Sequence, residues 1–276
     1  MEYFKSKKIP SKINPIAYEQ PAEYIEEAPK HNIQIPKAMD FEIIFEDADI
    51  IAVNKPSGLL VIPDRFRKEL LNLRNLLEMK YGGIFVVHRL DRETSGVTLF
   101  AKNAEAHRLL NGQFTDHTIK KIYLALVCGI PDHEAGTLKF PLAPHPRKPG
   151  TMVVSEAGKI SITEYRVAEK FLKYSLVEAR PLTGRTHQVR IHLAAYGHPL
   201  AVDRIYGSGE PLRLSSFKPG YKPSATEERP LIDRLTLHAE KITFHHPATN
   251  AEVTLTAPLP QDFELTLKQL RKNNRS

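Results

Sequence analysis

Apolar residues in this chain come in runs of strand length, and nothing else constrains its fold as much. Ile84–Val87 and Tyr123–Cys128, among the longest, have four and six residues, whereas a membrane-spanning helix needs roughly 18 to 20. Runs of this size, bounded by Gly, Pro, Asn and Asp, read as β-strands. Ile43–Glu46 and Ile50–Asn54 flank the turn Asp47-Ala48-Asp49 and predict a hairpin. Lys121–Val127 alternates, with Ile122, Leu124 and Leu126 on one face and Tyr123, Ala125 and Val127 on the other. Further strands are expected at Ile84–Val87, Val97–Ala101, Gly136–Phe140, Ile160–Ala168, Tyr174–Ala179, Leu235–Phe244 and Glu252–Ala257. Helical spacing is rarer. It occurs at Leu70, Leu73 and Leu77 before Gly82-Gly83, and at Ala106, Leu109, Leu110 and Phe114 behind an Asn103 cap. Two more helices are expected, from about Thr186 to Tyr196 and from about Gln261 to Lys272. Strands outnumber helices and do not alternate with them regularly. The expected class is therefore α+β, with a mixed, largely antiparallel sheet and flanking helices.

With 276 residues, 41% of them hydrophobic, the chain can bury one sizeable core. Residues 1–40 differ from the rest: four lysines by Lys12, four prolines by Pro29 and no lasting periodicity predict an N-terminal arm. Residues 41–265 are expected to form one domain and residues 266–276 a basic C-terminal tail. Within the domain, residues 207–230 are rich in Gly, Pro and Ser and read as a long exposed insertion. The start, MEYFKSKKIP, has no apolar stretch of a secretory signal, and the single Cys128 excludes an internal disulfide framework and most zinc modules. The expectation is a cytoplasmic protein without a membrane segment. Lys+Arg exceeds Asp+Glu by 39 − 32 = +7, a balance that favours polyanionic partners, although a merely basic enzyme would share it.

Two segments carry chemistry. His88-Arg89-Leu90-Asp91-Arg92-Glu93-Thr94-Ser95-Gly96 lies between two strands, on a loop at a sheet edge. Asp91 has an arginine at each side, two before and one after, and nearby cations keep a carboxylate ionised, as a nucleophile or base requires. An Asx-turn, with Asp91 bonding its own backbone, is the plain alternative. The second segment, Arg180 to Leu193, is a strand end, a turn and a helix start. A helix N-terminus suits phosphate, and Arg185, His187 and Arg190 add donors. A solvated basic helix face is the alternative here. Histidine pairs such as His187/His192 and His245/His246 lack the spacing of a helical metal site, so no metal is expected. Ser95 with His88 and Asp91 would imitate a hydrolase triad, but its members crowd one tight loop.

HRLDRETSG resembles the HRLDxxTSG motif of the RluA-type pseudouridine synthases. IIFEDADIIAVNKPSGLLV resembles that family's opening segment, IKKIYLALV its tyrosine-bearing strand, RPLTGRTHQVRIHLAAYGHPLAVDRIYG its third motif, and LHAEKITFHHPATNAEVTLTAPLPQDF its C-terminal strands. The likeness spans about residues 41–265. It implies a cofactor-free enzyme that isomerises uridine to pseudouridine in structured RNA, rRNA or tRNA. The family's catalytic aspartate falls on Asp91, its active-site tyrosine on Tyr123, and the arginine that pairs with the aspartate on Arg190. The arginine that fills the stack vacated by the flipped base falls on Arg89. Arg185 and His187 are expected to bind RNA. Ile62 and Leu90 are candidate walls of the uracil pocket. Longer members of the family carry an S4-type RNA-binding domain, for which residues 1–40 are too short and too proline-rich. No protein partner is implied, and a monomer is expected. The rival readings are a catalytically silent RNA-binding relative and a hydrolase using Ser95.

Overall fold

The computed structural model describes residues 40–223 and 227–273, so the arm expected over 1–40 lies, Asp40 apart, outside the described residues. In chain order the elements are β1 (Glu42–Glu46), β2 (Ile50–Lys55), α1 (Leu73–Tyr81), β3 (Phe85–Val86), β4 (Ser95–Ala101), α2 (Ala104–Thr115) and β5 (Lys120–Cys128). There follow β6 (Ala135–Lys139), β7 (Leu142–Pro144), β8 (Met152–Val154), β9 (Ile162–Lys170), β10 (Tyr174–Pro181) and α3 (Gln188–Ala195). β11 (Leu237–His245), β12 (Glu252–Thr256) and α4 (Gln261–Asn273) complete the described part.

Ten strands form one sheet in the order β1-β2-β4-β11-β5-β10-β9-β6, with β12 also on β11 and β3 also on β4. The one parallel pairing between these strands sets Ser95 and Gly96 of β4 beside His238 and Ala239 of β11; the other strand pairs are antiparallel. The class is α+β, as the strand pattern requires. A short ribbon, β7–β8, stands apart from the main sheet.

The alternation of β5 divides two cores. Leu124 and Leu126 pack with Leu176, Phe263, Leu267 and Leu270, whereas Ala125 and Val127 pack with Val177, Ala179, Val189 and Leu193. α4 thus covers one face of the sheet and α3 the other. A third core fills the β1–β2–β4 side, with Leu73 and Leu77 of α1 and Ala106 and Leu110 of α2.

Caps set the helix starts. Asn103 Oδ1 accepts the Ala106 N–H at 2.8 Å, and Asn72 Oδ1 accepts the Asn75 N–H at 3.0 Å. α1 begins three residues later than the Leu70 spacing suggests. Its first N–H groups, those of Leu73 and Arg74, are already taken by the carbonyls of Leu60 and Val61, at 2.8 and 3.0 Å.

Two expected boundaries are corrected. The 207–230 segment is not wholly exposed: Leu212 and Phe217 are buried in the α4-side core. Residues 266–273, set apart as a basic tail, belong to the helix expected from about Gln261 to Lys272. α4 runs to Asn273 and buries Leu267 and Leu270, each a contribution of about 2 kcal/mol by area burial. Arg271 of that helix is paired with Glu169, Nε to Oε2 at 2.8 Å. Arg275 lies outside the described residues.

Candidate active site

The loop between β3 and β4 carries Asp91, and its shape follows from what holds it. The Thr94 N–H donates to the Asp91 carbonyl at 3.1 Å, closing a turn at the tip. At its end Gly96 has φ +120°, and a Cβ there would stand 2.2 Å from the Ala239 carbonyl oxygen of β11. Only glycine permits β4 to run so close to its parallel neighbour. Lys55 is fully buried beneath the loop. Its ammonium donates to the carbonyls of Pro56, Leu59 and Arg92 at 2.9, 2.8 and 2.9 Å, one donor for each acceptor. Arg92 and Gly58 exchange two further hydrogen bonds, both 2.9 Å.

All six expected site residues line one cavity of about 330 Å3: Arg89 and Asp91 from the loop, Tyr123 from β5, and Arg185, His187 and Arg190 from the β10–α3 segment. Leu90 also lines it, as expected; Ile62 does not. Tyr123 sits on the α3 side of β5, between Ala179 of β10 and Ala239 of β11, and lines the cavity while packing against the adjoining cores. Burial, reinforced by the Asp91 charge, pushes the Tyr123 hydroxyl well above the ordinary phenol range, so it is a neutral donor at physiological pH.

Arg190 pairs with Asp91 as expected, but only at ion-pair distance. Its fork is spent on Asp203, not on Asp91: Nε and Nη2 donate to Oδ2 and Oδ1, both at 2.8 Å. The remaining nitrogen, Nη1, faces Asp91 Oδ2 at 3.6 Å, an ion-pair distance. The guanidinium therefore stands between two carboxylates, one fully buried and one a quarter exposed. Burial opposes the charge of Arg190, but the hydrogen bonds and charges of Asp203 and the charge of Asp91 outweigh it and raise the guanidinium's pKa. Asp203 is held low by Arg190 and by the N–H groups of Ile205 and Tyr206, against the opposing effect of burial.

Two further residues complete the site. His187 has left-handed backbone, φ 54°, at the residue before α3. Its Nδ1 lies 2.9 Å from the Tyr206 hydroxyl, which also accepts the Met152 N–H at 2.9 Å. The Tyr206 hydroxyl thus fixes the ring of His187, and Nε2 faces Asp91 Oδ1 at 3.9 Å. Burial lowers the His187 pKa despite the pull of Asp91, so the ring is neutral near pH 7. Gln188 rivets the turn ahead of the helix, accepting from Thr183 Oγ1 at 2.8 Å and the Arg185 N–H at 3.0 Å. Asp203, Tyr206 and Gln188 were not among the expected site residues. All three fall within the segment that carried the family resemblance, and that was their only signal.

Ser95 has no part in a triad with His88 and Asp91. It is fully buried, accepts from Arg234 Nη1 at 3.3 Å and donates to His238 Nδ1 at 3.0 Å, while His238 Nε2 donates to the Ala257 carbonyl at 3.1 Å. The chain of bonds ties β4 to β11 and to the residues ahead of α4. Asp47, Asp49 and His246 bring ligand-type atoms within 4.8 Å of one another. Both Asp47 oxygens and one Asp49 oxygen are already engaged. Asp47 accepts the N–H groups of Asp49 and Ile50 and pairs with His246 at 2.7 Å, and Asp49 accepts Asn103 Nδ2 at 2.8 Å. None of the three lines the cavity around Asp91.

The chain is similar to known proteins in sequence and in fold. A family model described as RNA pseudouridylate synthase matches residues 49–195. The uncharacterized RNA pseudouridine synthase YlyB of Bacillus subtilis is 34% identical over 247 residues, 87% of this chain and 76% of that protein. The dual-specificity RNA pseudouridine synthase RluA of Vibrio vulnificus is 37% identical over 223 residues, 79% and 82% of the two chains. The ribosomal large subunit pseudouridine synthase D of Pseudomonas aeruginosa is 33% identical over 242 residues, 85% and 73%. Among solved structures, human RNA pseudouridylate synthase domain containing 4 superposes with a TM-score of 0.63 at 27% identity, covering 83% of this chain and 92% of that one. The chain belongs to the RluA-type family of RNA pseudouridine synthases, isomerases of uridines in RNA.

Proposed function

We propose that the protein isomerises specific uridines of rRNA or tRNA, with Asp91 as the catalytic carboxylate, acting as a monomer in the cytoplasm without cofactor. The observation that carries this reading is the gathering of Asp91, Tyr123 and Arg190 round one cavity, with Arg89 and Arg185 beside them. The relatives named for RluA and for ribosomal large subunit synthase D act on RNA by their names, and the excess of +7 charges suits the same polyanion.

In this reading the target uridine leaves its stack before chemistry begins. Arg89, exposed on the loop two residues before Asp91, stacks its guanidinium plane where the base was. Asp91 either attacks C1′ or removes the C2′ proton, and the C1′–N1 bond breaks. Arg190, anchored by Asp203, faces the Asp91 carboxylate and orients it. The neutral Tyr123 ring supports the uracil while it turns; C5 then bonds to C1′ as the C1′–O bond to Asp91 breaks, or as Asp91 returns the proton to C2′. The net change moves the C5 proton to solvent and puts a proton on N1.

A transcript carrying tritium at uridine C5 tests this directly, because isomerisation releases the label into water. The unaltered protein should release tritium from rRNA or tRNA. Asp91→Asn, which keeps the size and removes the charge, should slow release by roughly four orders of magnitude or more, the scale seen when a nucleophile is lost. Near-normal release by the Asn variant would overturn the role of Asp91. No release by the unaltered protein from any rRNA or tRNA would favour a silent RNA-binding relative.

A further inference from the structure

β5 opens with two lysines whose environments differ. Lys120 is exposed and paired with Glu252 at 3.1 Å. Lys121 points to the other face of the strand, the face of Tyr123, and lines the cavity that holds Asp91. Among the described residues its ammonium has neither a hydrogen bond nor an ion pair. Burial lowers its pKa with no carboxylate to offset the effect. Arg190, by contrast, is answered by Asp203. A desolvated charge without a partner destabilises a fold, so a cation held this way inside a site points to a negative charge that arrives with the substrate.

We propose that Lys121 is a catalytic residue that stabilises the excised uracil as an anion. The inference rests on the synthase activity and holds for both routes open to Asp91. If Asp91 attacks C1′, a C1′–O bond forms and the C1′–N1 pair leaves with the base. If Asp91 takes the C2′ proton, a C1′=C2′ bond forms and the same pair leaves. Either way the uracil carries one negative charge, spread over N1 and its two carbonyl oxygens, until C5 rejoins C1′. When C5 bonds to C1′, the C1′–O bond to Asp91 breaks, or the C1′=C2′ bond opens and Asp91 returns its proton to C2′. Either way the carboxylate is regenerated and the base is neutral, and the base then exchanges its C5 proton for one on N1.

The order of groups along the cavity fits this task. Asp91 acts at the ribose, its charge reaches the Tyr123 hydroxyl, and Lys121 lies one further position along the same strand face. The uracil carbonyl edge, extending away from C1′, meets Lys121 there. His88 adds a neutral donor at this end of the cavity. Its Nε2 accepts the Leu99 N–H at 2.9 Å, so Nδ1 carries the hydrogen. Burial and the Lys121 charge hold His88 down to about 3, and so it stays neutral. A backbone phosphate, which keeps much of its hydration, does not call for a cation as buried as Lys121.

The test uses Lys121→Met and Lys121→Gln, with Lys121→Arg retaining the charge, on transcripts bearing uridine or 5-fluorouridine at the target site. Fluorine makes uracil N1 more acidic and its anion less dependent on help. At saturating uridine RNA the neutral variants should lose about 100- to 1,000-fold in single-turnover cleavage of the C1′–N1 bond, the scale for removing a preorganised charge partner. RNA affinity should change less than threefold, and Arg should restore part of the rate. On 5-fluorouridine RNA the loss should shrink by about tenfold or more. Tm should stay level or rise, because no folded-state partner is lost; a purely structural lysine would lower it. Weaker binding with an unchanged cleavage rate would place Lys121 on a phosphate and overturn the inference. Equal losses on the two bases, or no loss, would overturn it as well. If the unaltered protein does not act on uridine RNA, it is the activity itself that fails.

Discussion

Arg190 serves two carboxylates at once, and the division of its nitrogens gives each a different task. The bidentate pair with Asp203 fixes the guanidinium plane, and the third nitrogen is thereby aimed at Asp91. Asp203 is a positioning residue: it touches Arg190, not the substrate. Asp203→Asn keeps the shape but leaves the buried guanidinium without its counter-charge. Stability should fall by about 3 kcal/mol, the scale for breaking a buried pair, as read from urea midpoints. Among folded molecules kcat should fall far more than KM rises, which a purely structural defect would not produce. Arg190→Lys should fail as well, because an ammonium cannot bridge Asp203 in two bonds and still face Asp91. The importance of Arg190 was legible from its place in RTHQVR. Its fork was not. Asp203 stands 13 residues further on, beyond a helix, and no local rule distinguishes it from Asp91 as the better acceptor.

Among the elements, β4 bears most on the site, because it is both the end of the catalytic loop and the parallel neighbour of β11. Gly96→Ala places a methyl group against the Ala239 carbonyl at a residue with positive φ, so both sterics and backbone conformation are violated. The expected result is insoluble protein, or a loss above about 4 kcal/mol with no tritium release, seen by solubility and urea unfolding. Other elements were readable because a single local force decides them. The Asn103 side chain caps α2, and the strict alternation of β5 separates two cores. The anchoring of Leu212 and Phe217 was hidden because isolated apolar residues among Gly, Pro and Ser have no period. The reach of α4 was legible within one residue of its end at Asn273, and the domain boundary at 265 failed because Lys268, Arg271 and Lys272 read as a basic tail while Leu267 and Leu270 between them are buried. The β7–β8 ribbon is three residues on each side, too short for any pattern to declare it.

At the scale of the whole molecule, buried neutral histidines set the response to acid. Burial holds His88 at about 3 and His238 at about 4, below the ordinary value of 6.5. Below pH 6.5 the unfolded chain takes up protons at both positions and the folded protein does not, so stability is full above 6.5 and declines as pH falls. Each histidine contributes a slope of about 1.4 kcal/mol per pH unit down to its own folded value. Urea midpoints measured from pH 7 to pH 5 should drop accordingly, and His238→Gln should flatten the decline; a flat profile in the unaltered protein would refute the account. The same β4–β11 seam has a consequence for manufacture. Ser95 and His238 are 143 positions apart, and β11 is the strand that joins β4 to β5 at the middle of the sheet. A ribosome delivers the loop bearing Asp91 early, yet its bracing strand emerges only with residues 237–245. Contacts this remote close slowly, so until β11 is released the half-made chain holds its carboxylate and its arginines without the geometry to use them.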